Sequence, residues 1–286
     1  MKKSTLIVAA LAFGVTSAFA QDLTSKKGEP ILPEAGDWAI GIDATPFLDY
    51  FGNFIGGNGS NYGTAGWNFT NGSQMITGKM FTSPNMAYRG MLRIGFGSET
   101  YKNYVVDDAS TATPQPNVTD EMKMSGNFIG LGGGIEWRRG KTRLQGYYGV
   151  MAMVSFSSSR NSFTYGNAFS STNTAPTTTT DFINGVSASQ GSRVTEDKSG
   201  SNIGFGARGF IGAEYFVLPK LSVGGEFGWG LGLSRTGEGE RTDESWNGTA
   251  VTTTTTQTAG RGAFGFDTDN SNFGMAPGVL FIHFHF

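Results

Sequence analysis

From residue 38 to the last residue, the chain repeatedly exchanges apolar for polar or small side chains at every second position, the period of an extended strand with two unlike faces. Over 38–48, Trp38, Ile40, Ile42 and Ala44 share one face, and Gly41, Asp43 and Thr45 the other; Pro46 fits a bulge or a rim. Over 86–98, Arg89, Met91, Arg93 and Gly95 oppose Gly90, Leu92, Ile94 and Phe96. Within 124–138, Ile129, Leu131, Ile135 and Trp137 oppose Gly130, Gly132, Gly134, Glu136 and Arg138. Within 142–158, Leu144, Tyr148, Val150 and Val154 oppose Arg143, Gln145 and Tyr147. The alternation sets Phe205, Ile211 and Tyr215 against Arg208 and Glu214 in 202–218, and Val223, Phe227, Trp229 and Leu231 against Gly224, Glu226 and Gly228 in 221–235. With 74–82 and 271–286 added, the pattern predicts eight strands.

The connections between these strands sort by length. Three are short, at 83–85, 139–141 and 219–220, and four are long and polar, at 49–73, 99–123, 159–201 and 236–270. Short and long alternate strictly. An even strand count with short turns at one end and long loops at the other is the pattern of a membrane-spanning barrel, whose apolar face meets lipid and whose other face lines the interior. The expected fold class is therefore all-β: an eight-stranded antiparallel transmembrane β-barrel with short periplasmic turns and four long extracellular loops. A soluble sandwich has no reason to sort its loops in this way.

The first twenty residues support export. Lys2 and Lys3 precede an apolar stretch from Leu6 to Val15, and Ala18-Phe19-Ala20 has small residues at both positions of a cleavage site. The stretch is short for a bilayer span. The chain thus divides into a signal peptide (1–20), a periplasmic N-terminal segment (21–37) and the barrel (38–286). Loss of Lys2 and Lys3 takes 21 basic and 23 acidic residues to 19 and 23, a balance unlike that of a nucleic-acid binder. Without cysteine, no disulfide contributes to stability. The 44 glycines follow no three-residue period and sit inside the alternating runs. On the inward face they leave gaps that water would fill.

The chain closes on GVLFIHFHF, in which Leu280, Ile282, Phe284 and Phe286 share a face and Phe286 is the last residue. This ending resembles that of the bacterial outer-membrane β-barrel proteins. The stretch GDWAIGIDATPFLDYFGN, residues 36–53, resembles the opening strand of small members common in the Bacteroidetes lineage. The resemblance implies that Leu280, Ile282, Phe284 and Phe286 form the signal read by the barrel assembly machinery. It implies a location in the outer membrane of a Gram-negative bacterium, among lipid and lipopolysaccharide, and no particular activity.

The inward face is where chemistry would sit. Its charges are Asp43, Lys79, Arg89, Arg93, Glu136, Arg138, Arg143, Arg208, Glu214 and Glu226. Buried ions need partners, so they form either a salt-bridge plug or a charged constriction. Six bases against four acids would make a pore mildly anion-preferring. His283 and His285, the only histidines, read as two polar residues at the periplasmic rim. No catalytic set, cofactor motif or metal-binding spacing stands out. Threonine runs at 177–180 and 252–256 fall in the last two long loops. Trp38, Trp137, Tyr215 and Phe286 suit an aromatic belt. Together these features favour a non-enzymatic, monomeric barrel that presents long loops to an unidentified external ligand; the alternative is a narrow porin-like channel for ions or small solutes.

Overall fold

The structure, a computed structural model, describes residues 23–43, 75–268 and 280–286. The signal-peptide reading and the first long connection lie outside them. The described chain is all-β and antiparallel, and no helix in it is long and apolar enough to cross a membrane.

Fourteen strand segments replace the expected eight: β1 (Trp38–Asp43), β2 (Ile76–Ser83), β3 (Met86–Val106), β4 (Asn117–Arg139), β5 (Leu144–Thr164), β6 (Thr177–Asp181), β7 (Val186–Ser189), β8 (Ser192–Lys198), β9 (Asn202–Leu218), β10 (Leu221–Thr236), β11 (Gly239–Trp246), β12 (Val251–Thr258), β13 (Arg261–Thr268) and β14 (Leu280–His285). Twelve join one sheet, and β6 and β7 form a separate hairpin. Followed from β1, antiparallel pairings run through β2, β3, β4, β5, β9, β10 and β14 and return to β1. Trp38 and Phe286 exchange both backbone hydrogen bonds, each 2.9 Å. The short turns fall where expected; at 219–220 the turn is made by Lys220 in the left-handed region (φ 68°).

Three long connections differ from expectation because they are pleated. The β3–β4 ladder runs unbroken from Met86↔Trp137 to Val106↔Asn117, so 99–123 is mostly hairpin. The stretch 159–201 contains the end of β5, the β6–β7 hairpin and β8, and 236–270 contains β11, β12 and β13. β13 pairs with the outer half of β10 and β14 with its inner half. β13 is thus a paired segment that starts at Arg261, inside the expected fourth long connection. These segments carry polar residues on both faces, which hides a strand from a search for half-apolar alternation.

The polarity of the sheet is inverted relative to a soluble protein. Lys79, Glu136 and Glu214 are at most 1% exposed, while Ile76, Leu131, Phe205, Leu231 and Phe284 on the opposite face are 46–58% exposed. Trp38, Tyr215 and Phe286 are also exposed, and Trp137 stacks on Tyr148 at 5.7 Å.

The inward glycines correct the expectation of water-filled gaps. Register places Tyr147 opposite Gly212, Phe210 opposite Gly149, Phe281 opposite Gly224 and His283 opposite Gly41. Each glycine is a socket for the neighbouring side chain. A Cβ on Gly224 would stand 2.5 Å from Phe281 Cζ, and one on Gly228 the same distance from Arg208 Cζ; Cβ atoms on Gly41, Gly149 and Gly212 would collide with His283, Phe210 and Tyr147. A narrow interior fills by alternating large and absent side chains around the sheet.

Candidate functional site

Two regions stand out on the inward face: an ion network toward the short-turn end and an aromatic lobe toward the long-connection end. The network gathers charged residues from five strands. Lys79 Nζ on β2 lies 3.1 Å from Glu136 Oε2 on β4 and 3.2 Å from Glu214 Oε2 on β9. Arg138 Nη1 donates to the same two carboxylates at 2.7 Å each. Arg89 on β3 donates to Glu226 on β10 at 2.6 Å, and Arg208 on β9 pairs with the other oxygen of Glu226.

Of the ten inward charges expected from the sequence, the structure brings seven into this network: Lys79, Arg89, Glu136, Arg138, Arg208, Glu214 and Glu226. Arg93 stacks on Phe128 at 4.4 Å from the ring centroid. Arg143 is half-buried and donates to the carbonyls of Phe216 and Val217, so it ties two strand ends together. The side chain of Asp43 is outside the described residues.

Among the described residues, five buried cations (Lys79, Arg89, Arg93, Arg138 and Arg208) and three buried carboxylates (Glu136, Glu214 and Glu226) lie on this part of the inward face. Aromatic rings also surround the cations. Arg89 lies 4.3 Å from the Phe210 centroid, Lys79 5.0 Å from Tyr147, and Arg138 5.4 Å from Phe81. The negative face of a ring attracts a cation, and does so more strongly away from water. Next to the ions lies an apolar cluster of Met75, Met91, Tyr147, Met151, Met153, Phe210 and Phe281.

The histidines are not polar rim residues. His283 is 1% exposed and its Nδ1 is 3.3 Å from Glu214 Oε1; its Nε2 is 3.3 Å from Thr77 Oγ1. Ser222 donates to Glu214 and lies 3.0 Å from His285 Nε2. Serine, histidine and carboxylate thus meet, but not as a nucleophilic triad. Glu214 approaches the same nitrogen of His285 that faces Ser222, at 3.5 Å, whereas a triad carboxylate holds the other ring nitrogen. Ser222 is also fully buried. Among the described residues no group of three or more His, Cys, Asp and Glu is placed to hold a metal ion.

The lobe at the other end was not legible in the sequence. Val105, Asp120 and Phe163 continue the inward phase of β3, β4 and β5, and the segment 165–189 folds over them. Asp120, completely buried, accepts the amides of Gly166 (2.8 Å) and Thr179 (2.7 Å). Asn167 donates to the carbonyls of Val106 and Thr177 and accepts from the amide of Asp108. Asp108 in turn accepts from Thr177 (2.7 Å) and Asn173 (2.9 Å). Desolvation opposes ionisation of Asp108, but these two donors outweigh it and hold its carboxyl below the usual value. Phe163, Tyr165 and Phe182 pack together, and Arg193 lies over Tyr165 (4.3 Å) and Phe169 (4.7 Å) while pairing with Glu244. Burial pushes the Tyr165 phenol up to about 12, against the opposing pull of Arg193, so it stays a donor to the Val194 carbonyl.

No protein-family model matches this chain, and no curated protein matches its sequence.

The two threonine runs have different fates. Thr178 and Thr179 in β6 are buried in the lobe. The second run forms β12, at the outer end of the sheet order β12-β11-β8-β5-β4-β3. Trp246 ends β11 half-buried.

Proposed function

We propose that this chain is an eight-stranded transmembrane β-barrel of the bacterial outer membrane, exported through a signal peptide, closed by its last strand, and used to present a folded outer lobe to an external partner. The observation that carries this reading is the inverted polarity. Completely buried lysine and glutamate on one face of a sheet, with exposed isoleucine, leucine and phenylalanine on the other, leave an apolar surface far larger than a monomer keeps in water. Lipid is the solvent that suits such a surface, and it demands that backbone groups pair within the protein.

The register supports closure. From Ile42, a paired row passes through Ile76, Leu92, Leu131, Val154 and Phe205 to Leu233 on β10. In the other direction it passes through Ile282 to Val223, also on β10. A full circuit is offset by ten positions (233 − 223), the kind of stagger that tilts strands by about 35–45° in a small barrel.

The filled interior favours surface interaction over conduction. The ion network, the apolar cluster and the glycine sockets occupy the space that a pore needs. We read the chain as non-enzymatic, because the serine–histidine contact found among the described residues is sealed from any substrate. Lipopolysaccharide surrounds it in this reading, and the barrel assembly machinery acts on Leu280, Ile282, Phe284 and Phe286 during insertion. Planar-bilayer recording of the purified protein tests the choice. No conductance steps are expected; stable steps whose ion selectivity moves on Arg93→Gln would replace this reading with the anion-preferring channel.

A further inference from the structure

We propose that β12 is a pairing edge for a second copy of this chain on a facing membrane, an inference that rests on the barrel reading above. β12 is eight residues long, VTTTTTQT, without charge or proline. All of it except Thr252 is exposed, and among the described residues only β11 pairs with it. Native edge strands are normally protected by lysine, proline, a bulge or a covering segment, since a bare row of backbone donors and acceptors recruits another strand. Among the described residues β12 has none of these protections. Composition alone is not the signal, because Thr178 and Thr179 of the β6 run are buried and that strand is already paired with β7.

The occupant is argued from charge and symmetry. An uncharged strand laid antiparallel on its own copy meets only threonine, glutamine and valine, with no like charges opposed. Cross-strand threonine pairs are favourable, and the fold already contains one where Thr242 Oγ1 and Thr255 Oγ1 meet at 3.1 Å across β11 and β12. β11, with Glu240, Arg241, Asp243 and Glu244, is no such surface.

Symmetry then sets where the second copy stands. β12 extends the sheet of β5, β8 and β11, so it shares the oblique run of the barrel strands, about 35–45° from the membrane normal. Two copies side by side in one membrane are related by an axis along that normal. Their edges then cross at twice the tilt, roughly 70–90°, and no ladder forms. An axis in the plane midway between two membranes makes the same edges antiparallel.

Two measurements test this. Sedimentation of the detergent-solubilised protein reads self-pairing without requiring a bilayer, and light scattering of vesicles carrying the protein reads pairing between membranes. The variants are Thr253→Lys with Thr255→Lys, and Thr253→Glu with Thr255→Glu; these positions share one face of an exposed strand, and circular dichroism of each variant checks that the sheet is kept, since Thr255 meets Thr242 and Thr253 lies opposite Glu244. Wild type is expected to dimerise and to cluster vesicles. Each double variant is expected to be monomeric and dispersed, and mixing lysine vesicles with glutamate vesicles is expected to restore clustering. A monomeric wild type, or a lysine variant that dimerises as wild type does, would overturn the proposal. Dimers in detergent without vesicle clustering would overturn the facing-membrane arrangement, and clustering only on addition of an extended threonine-rich peptide would reassign the edge to another protein. Failure to enter vesicles at all would count against the barrel reading, while the detergent result still decides self-pairing.

Discussion

At Gly149 the absence of a side chain is what allows Phe210 to lie flat against the sheet, and Gly212 does the same for Tyr147. An added methyl there has to displace a ring or the backbone of the neighbouring strand. Gly149→Ala and Gly212→Ala are each expected to cost about 1–3 kcal/mol, as overpacking usually does, read as a lower urea midpoint for unfolding from lipid vesicles. Gly90, whose added Cβ would meet nothing within 4 Å, is the control, and Gly90→Ala is expected to unfold at or above the wild-type midpoint. Glu214 supports a different prediction. It is completely buried and faces Lys79, Arg138, Ser222, His283 and His285. Glu214→Gln keeps the shape and removes the charge, leaving two buried cations to share Glu136, at an expected cost of about 3–5 kcal/mol. A loss under about 1 kcal/mol on the same unfolding curve would mean that aromatic faces alone hold those cations.

Among the elements, those whose two faces meet different solvents were readable and those whose two faces meet the same one were not. The apolar half of β3, 86–98, shows its alternation because Leu92 and Ile94 lie opposite Arg89 and Arg93. The outer half, ending Tyr104-Val105-Val106, carries polar residues on both faces and reads as a loop although its ladder is continuous. The inward charges were legible for the same reason, since a period of two identifies a face. Their partners were not: Lys79 and Glu214 are 135 residues apart, and only strand register brings them together. His283 was misread because nearness to the C-terminus says nothing about depth. In the lobe, Asp108 makes a pH prediction. Its carboxyl is held below the ordinary value of 3.8, so its contribution is present above that value and is lost as pH falls through the lower, folded one. Protease cleavage within 165–189 is expected to be slow at neutral pH, to rise in that acid range, and to be already fast at neutral pH in Asp108→Ala.

For the whole molecule, the proposed lipid contact makes the outward face the sensitive one. Leu131→Arg and Phe227→Arg place a cation among exposed apolar side chains and are each expected to lower the stability of the inserted protein by about 2–4 kcal/mol. Both variants folding into vesicles with wild-type stability would remove the membrane from the account. The ion network adds a consequence of a different kind. Its members arrive on β2, β3, β4, β9 and β10, and a strand displaced by one position would turn its ion to the outside and a leucine or phenylalanine to the inside. No single strand can correct such a slip locally, because each carboxylate is shared between cations from different strands. The cluster therefore acts as error-checking on assembly: in the proposed membrane a mispaired sheet carries a displaced ion in its interior or in hydrocarbon, and the penalty persists until every strand has docked in the one register that brings each carboxylate to its cations.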